Sequence, residues 1–544
     1  MKALSGFKRN NDHSCDNISF NGECVNVTEL PDVINTYIVS VSEAVPALRP
    51  ESLSAIRSKA NECSNDYIVS EFDVYLVLCK LKIGKSSLYD NVNNKLLRSL
   101  ADVLAAPICA LINSSFRQGM IPVQWKMSRI SPIPKTIPVR NIETDLRPIA
   151  VTCPISKVAE LFAAQFFNEH FHALLDVNQF GSVKGRSTTL ALIKFSHILF
   201  EAADDSANII RILFVDFRKA FELIDHNVLF NKLIESMFPS RLSLWSLSFL
   251  NDRSQFVKIG QNCSKVLHLT AGAPQGTRAG PNDFNVMIND LHFKLPYVKY
   301  VDDVSVASIS TDPQDNSLQK AADDLSVWCE DNSMRLNTTK TKEMVVYFGK
   351  RFSQSAIQPI VISSTTIDRV SKFKLLGIYF SSDLKWAEHV NYIITKSTKR
   401  FFVICQLARI GIDSTAIVTV YCSIVRPILE YASPVWHCGL TQGQSDELEN
   451  VQKRCLRMIF PDLSYADALG VAGIERLSER RERAVTSLFK EIKHPSHILN
   501  NLLPLKPVEL HGTLRRDDYP YRLPVAKTCR RACSFISYCV ARRF

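Results

Sequence analysis

The run Asn208–Phe217, NIIRILFVDF, limits most strongly how this chain can fold. Its β-branched and aliphatic side chains hardly alternate with polar ones. As a strand it must therefore be covered on both faces. Asp216 closes this strand. Residues 297–308, YVKYVDDVSVAS, pose the complementary problem. They alternate as a strand does, yet they place Asp302 and Asp303 side by side between valines, which reads as strand, tight acidic turn, strand. Carboxylates at strand ends that fold together repel strongly at a few ångströms. A divalent cation between them relieves the repulsion, and Mg²⁺ prefers hard oxygen ligands while keeping places for water and substrate phosphates. Two such ions about 4 Å apart can activate a 3′-hydroxyl and stabilise a departing pyrophosphate. Asp is also a common turn former, so a Tyr-x-Asp-Asp string alone reads first as an ordinary acidic turn.

The surrounding sequence predicts helices over 68–83, 96–118 (ending at Gly119), 155–175 and 281–292, and another through HNVLFNKLIESM. SPIPKTIPVRNIETDLRPIA reads as a Pro-rich loop. SQFVKIG and KVLHLT read as a hairpin, and FKLLGIYFS as one strand. Beyond residue 385 the pattern is mostly helical, with Leu448, Val451, Cys455 and Ile459 on one face. Residues 1–60 are polar, with little periodicity apart from VINTYIVSVSEAVPAL. The expectation is a mixed α+β core inside helical flanks, in a chain of 544 residues, enough for roughly three or four folding units.

The N-terminus has no apolar signal core, and no run reaches the ~18 uncharged apolar residues of a membrane span. The 15 cysteines show no repeated CxxC spacing, and Cys529, Cys533 and Cys539 fit no zinc pattern. A nuclear or cytoplasmic protein with reduced thiols is expected, neither secreted nor in a membrane. The net charge is +11, and residues 451–544 carry 18 Lys/Arg against 9 Asp/Glu. That imbalance suggests a polyanion partner or a solvated helical face.

FVDFRKAFELIDH, AGAPQGTRAGP and YVDD, in this order, resemble the A, B and C motifs of reverse transcriptases, specifically those of non-LTR retrotransposons of the jockey and LINE type. The resemblance extends upstream through LKIGKSSLYDNVNNKLL, GMIPVQWKMSRISPIPK, DLRPIAVTCPISKVAE and QFGSVKGRST. Downstream it continues through WCEDNSMRLNTTKTK, FKLLGIYFSSDLKWAEHV, RPILEYASPVWH, LENVQKRCLRMIF and KTCRRACSFISY, covering roughly residues 30–544.

The resemblance implies a right-hand polymerase. Residues 1–60 would be an N-terminal remnant or linker and 61–117 a helical extension. Fingers and palm with an antiparallel sheet would occupy 118–380, a helical thumb 381–465 and a basic helical C-terminal region 466–544. It implies Asp216, Asp302 and Asp303 as ligands of two Mg²⁺ ions, with Mn²⁺ as a substitute. Phe217 would add a backbone carbonyl and Phe221 a steric gate against the 2′-hydroxyl. The glycines of GAPQG would clear space beside the templating base pair, with Gln275 reaching template or nucleotide. Arg147, Lys184 and Arg186 would meet triphosphate charge, and Lys340 would protonate pyrophosphate. An RNA template, a DNA primer and dNTPs would be the partners.

The chain departs from the family pattern at KSSLYD, where Leu88 and Tyr89 replace Gly and Pro. It departs again at TRAGPND, where Arg278, Asn282 and Asp283 bring polarity into a normally apolar helix, and at Glu222, usually Asp. Residues 1–60 are too short for the endonuclease that such elements encode, so target-primed integration by this chain alone is not expected. The rival readings are an inactive remnant that binds RNA through its basic surface and, more remotely, a group II intron-type maturase.

Overall fold

The computed structural model describes residues 18–20, 22–62, 67–84, 92–353, 356–505 and 520–544. The KSSLYD departure lies outside them. Ten strands matter for the site: β1 (Met127–Pro134), β2 (Leu146–Val151), β3 (Ile209–Val215), β4 (Arg253–Ile259), β5 (Leu267–Leu269), β6 (Tyr297–Tyr300), β7 (Asp303–Ser310), β8 (Lys342–Tyr347), β9 (Lys372–Leu375) and β10 (Ile378–Ser381).

β3 lies at the middle of a five-stranded sheet, in the order Asp368–Arg369, β8, β3, β7, β6. All seven of its residues are buried. Its neighbours run antiparallel, with Val215 opposite Val304 on one side and Ile209 opposite Tyr347 on the other. Leu213 and Val215 share a core with helices Pro154–Phe171, Ala279–Ile288 and Ser317–Asp331. Ile210, Ile212 and Phe214 face a second core, built with helix Thr188–Ala202 and the C-terminal helices. This is why the sequence of β3 is apolar on both faces.

The one charge within β3, Arg211, is neutralised in place. Its Nε and Nη2 donate to Glu343 Oε1 at 2.8 and 2.6 Å, and Arg369 binds Glu343 Oε2 at 2.9 Å. Glu343 is fully buried. Glu343→Ala leaves Arg211 buried without a counter-charge, and denaturant unfolding should show a loss of about 3–5 kcal/mol.

The Pro-rich stretch 131–150, expected to be a loop, instead supplies half of β1 and most of β2 to a second sheet, in the order β2, β1, β4, Asn262–Cys263, with β5 also on β4. β1 pairs with β4 only from Met127 to Ile130. Pro132 and Pro134 lie beyond that pairing and face only β2, itself an edge strand, where Pro132 sits opposite Pro148. Proline is tolerated where no ladder donor is required of it, so a high proline count concealed two strands. The expected hairpin through SQFVKIG and KVLHLT forms as β4 pairing with Asn262–Cys263 and β5. FKLLGIYFS, expected as one strand, is the hairpin β9–β10. Its two-residue turn has Leu376 at φ +46° and Gly377 at φ +90°, the backbone signs of a type I′ turn.

Helix Leu30–Glu43, which overlaps the periodic stretch VINTYIVSVSEAVPAL, packs on β4 and β5. Asn35 donates to the carbonyl of Lys265 at 2.9 Å and accepts from Gln255 at 3.0 Å. In the C-terminal half, helix Gln442–Ile459 buries Leu448, Val451, Cys455 and Ile459 as its spacing predicts. Residues 414–439 are apolar enough on average to cross a membrane. They are nevertheless broken into short helices, carry the Arg426–Glu430 ion pair, and bury Tyr421, Leu429 and Trp436 in the second core.

Candidate active site

The register of the central sheet brings the three aspartates to one end. Asp216 follows the last residue of β3, Val215, which pairs with Val304, so Asp303 and Asp302 stand beside it at the β6–β7 turn. Asp216 is pinned through its backbone. Its N–H donates to Thr341 Oγ1 at 3.2 Å, and its carbonyl accepts from Asn337 N–H at 2.8 Å. Phe217 bridges to Leu336, and its ring lies buried near Trp328.

The turn itself is held by residues far away in sequence. Gln179 Oε1 accepts from the N–H groups of Val301 and Gly181, at 2.9 and 2.8 Å. Gly181 allows this approach, because a Cβ there would lie 2.3 Å from Val301 N. Below the turn, the fully buried Lys299 reaches Asp176 at 2.7 Å and the carbonyls of Ile288 and Leu291 at 2.8 and 3.0 Å.

Burial raises the carboxyl pKa of all three aspartates. For the exposed Asp303, surrounding protein and the charges of Asp302 and Asp216 push it up to about 7. For Asp302, burial and Asp216 raise the value while Arg147 opposes. For Asp216, burial prevails over Lys340, a hydrogen bond from Asn337, and Lys135. Negative charge is thus concentrated with too little positive charge around it. Among the described residues, no three His, Cys, Asp or Glu side chains are drawn together tightly enough to hold an ion unaided. The three carboxylates fit hard cations whose shells are completed by water and substrate oxygens, the coordination Mg²⁺ prefers.

Other candidates lie at varying distances from this cluster. Arg147, on β2, is exposed and acts electrostatically on Asp302. Lys340 acts on Asp216 in the same way. Phe221 stacks on Phe284 of helix Ala279–Ile288, centroids 5.0 Å apart. Gln275 donates to Glu222 Oε1 at 2.8 Å, while its carbonyl accepts from Ala150 N–H. Glu222, noted as a departure from pattern, is therefore the partner that orients Gln275. The loop glycine Gly272 is required first by protein: its φ is +85°, and a Cβ would lie 2.6 Å from Glu222 O. Lys184 and Arg186 line a different cavity, whose walls include none of the three aspartates, Phe221 or Gln275. Arg186 Nη1 is occupied by the carbonyls of Asp176 and Gln179.

Lys135, Gln179, Lys299, Asn337 and Thr341 were not singled out from the sequence. Lys299 carried a usable signal, a lysine within the apolar strand leading to the acidic pair. The polar residues of TRAGPND are absorbed by protein. The Arg278 N–H donates to the buried Glu160 at 2.8 Å, and Asp283 accepts from Ser246 at 2.5 Å. Burial pushes Asp283 up to about 7, and Asn282 is also buried.

An α+β core with carboxylates gathered at a β-hairpin turn is the setting in which residues 133–380 match the family described as reverse transcriptase (RNA-dependent DNA polymerase). The chain is a homologue of the RNA-directed DNA polymerases of non-LTR retrotransposons. It is 25% identical over 452 residues to the probable RNA-directed DNA polymerase from transposon BS of Drosophila melanogaster, covering 79% of this chain and 49% of that protein. It is 24% identical over 467 residues to the corresponding protein of transposon X-element (83% and 49%), and 24% identical over 409 residues to that of mobile element jockey (71% and 43%), both from the same organism. The chain spans about half the length of these curated relatives.

Proposed function

We propose that this chain extends the 3′-hydroxyl of a DNA primer on an RNA template with dNTPs, using two Mg²⁺ ions held by Asp216, Asp302 and Asp303. The observation that carries this reading is the convergence of three carboxylates under mutual repulsion at the end of β3. The bound ions would supply activation of the hydroxyl and neutralisation of the leaving pyrophosphate. In this reading the central sheet is the palm, and the sheet of β1, β2 and β4 belongs to the fingers. The helices between Ala387 and Ile459 form the thumb, and residues 466–544 a basic flank.

The chain's own groups bind and orient. Arg147, Lys135 and Lys340, near the aspartates, meet triphosphate charge. Lys340 also stands where a proton could pass to pyrophosphate. Phe217, next to Asp216 at the end of β3, would add its backbone carbonyl. Phe221, held by Phe284, excludes a 2′-hydroxyl, and Gln275, oriented by Glu222, supports the templating pair.

The test is primer extension on poly(rA)/oligo(dT) by the purified full chain, beside Asp302→Asn. Incorporation by the wild type and none by the variant is expected. Equal signals from both would contradict the assignment. Salt-sensitive RNA binding without incorporation in either Mg²⁺ or Mn²⁺ would instead establish an inactive, RNA-binding remnant.

A further inference from the structure

The cavity that receives Lys184 and Arg186 has a volume of about 710 Å³ and lies between the 172–186 segment and the far end of helix Leu477–Ile492. Lys184 and Arg186 form one wall, Lys490, His494 and His497 the other, and Glu491 is the lone carboxylate. Among the described residues neither Lys184 nor Lys490 has a carboxylate partner. Lys184, Lys490 and His494 are exposed. His497 Nδ1 accepts the N–H of Leu499 at 3.1 Å, and His494 Nδ1 accepts that of Ser496 at 3.3 Å. With Nδ1 accepting, Nε2 of each ring is left as a donor.

We infer that this cavity binds the phosphate backbone of single-stranded RNA, outside the carboxylate site. Cations on two opposed walls with one carboxylate between them suit a polyanion. Among the described residues no Phe, Tyr or Trp lines the cavity, and its charges are arranged for phosphates, so contact would be largely independent of sequence. The volume is that of a small-ligand site, enough for a short piece of strand and too little for a duplex. The choice of RNA over other polyanions rests on the polymerase reading, but the binding itself does not require catalysis.

The binding is measured by fluorescence anisotropy with the full chain and a labelled 12-nucleotide RNA, between 50 and 300 mM KCl. Each phosphate contact contributes about −0.7 to the slope of log K against log salt for single strands. Lys490→Glu should therefore flatten the slope by about 0.7, and Lys184→Ala with Lys490→Ala by about 1.4. The same changes are expected in the Asp302→Asn background, so failure here and failure of the polymerase reading are told apart. Slopes unchanged from wild type would overturn the inference. On unsubstituted protein, the RNA should protect Lys184 and Lys490 from acetylation, read by mass spectrometry. Protection by a dNTP alone and not by RNA would overturn it equally.

Discussion

Asp303→Asn should abolish nucleotide incorporation while raising the melting temperature of the metal-free protein. The two effects share one cause. The carboxyl of Asp303 is pushed up to about 7 by burial and by the charges of Asp302 and Asp216. A carboxyl raised on folding binds more protons in the native state than in the unfolded chain. Stability therefore falls as pH rises from about 4 to about 7, and the penalty is fully present above that. The amide removes it. In EDTA at pH 8 the variant should melt roughly 1–3 °C above wild type, a modest gain because the side chain faces solvent. At pH 5 the gap should close. Adding Mg²⁺ at pH 8 should stabilise the wild type more than the variant, because the ion needs the ionised carboxylate. Removing a partner of a metal ligand typically costs 10–100-fold in activity, so losing a ligand should cost at least about 100-fold. Melting scans in EDTA and Mg²⁺ beside primer-extension rates check both halves. A variant with full activity would remove Asp303 from the metal site. One destabilised in EDTA would show that the three charges are not in conflict.

The parts legible in the sequence were those fixed by local pattern. β3 was read from its unbroken apolar run, the β6–β7 turn from alternation interrupted by two acids, and helix Gln442–Ile459 from its spacing. The first two also carry the three aspartates, so this cluster could be read before the fold. What could not be read depended on partners distant in the chain. β1 and β2 were hidden because proline is costly only where a ladder donor is needed, and edge status cannot be seen from a strand's own residues. Gln275 was read as a group for template or nucleotide, but its amide is held by Glu222, which had been noted only as a departure. Arg186 was read as a phosphate ligand from its motif, yet its guanidinium is partly occupied by the carbonyls of Asp176 and Gln179. Both side chains are engaged by protein groups, which spacing does not report.

Lys299→Met should cost about 3–5 kcal/mol of stability, as expected when one partner of a buried ion pair is removed. Lys299 is fully buried on β6, three residues before Asp302, and its ammonium serves two elements together. It binds Asp176 at 2.7 Å and the Ile288 and Leu291 carbonyls at the end of helix Ala279–Ile288. Methionine keeps the length and apolar volume of the stem but abandons all three acceptors. The carboxylate then loses its main support. Burial alone raises the Asp176 pKa, and Lys299, with smaller help from Asn178 and Tyr297, holds it below the usual value. A carboxyl lowered on folding contributes stability present above its unfolded pKa and lost as pH falls through the folded one. Without Lys299 that contribution reverses, so the deficit of the variant should be largest at pH 7–8 and shrink on acidification towards pH 4. Urea unfolding across this range measures it. Adding Asp176→Asn to Lys299→Met should recover part of the loss, because the stranded charge is gone while the unfilled carbonyls remain. A single variant within 1 kcal/mol of wild type at pH 7.5 would mean the ammonium does not anchor the strand. Because β6 leads directly into the turn bearing Asp302 and Asp303, the single variant should also lose incorporation more steeply than stability at 25 °C accounts for, and the double variant should not regain it. Among the described residues the turn has no other buried cation to fix its height against helix Ala279–Ile288, so displacing it should separate the acidic pair from Asp216 even in chains that remain folded.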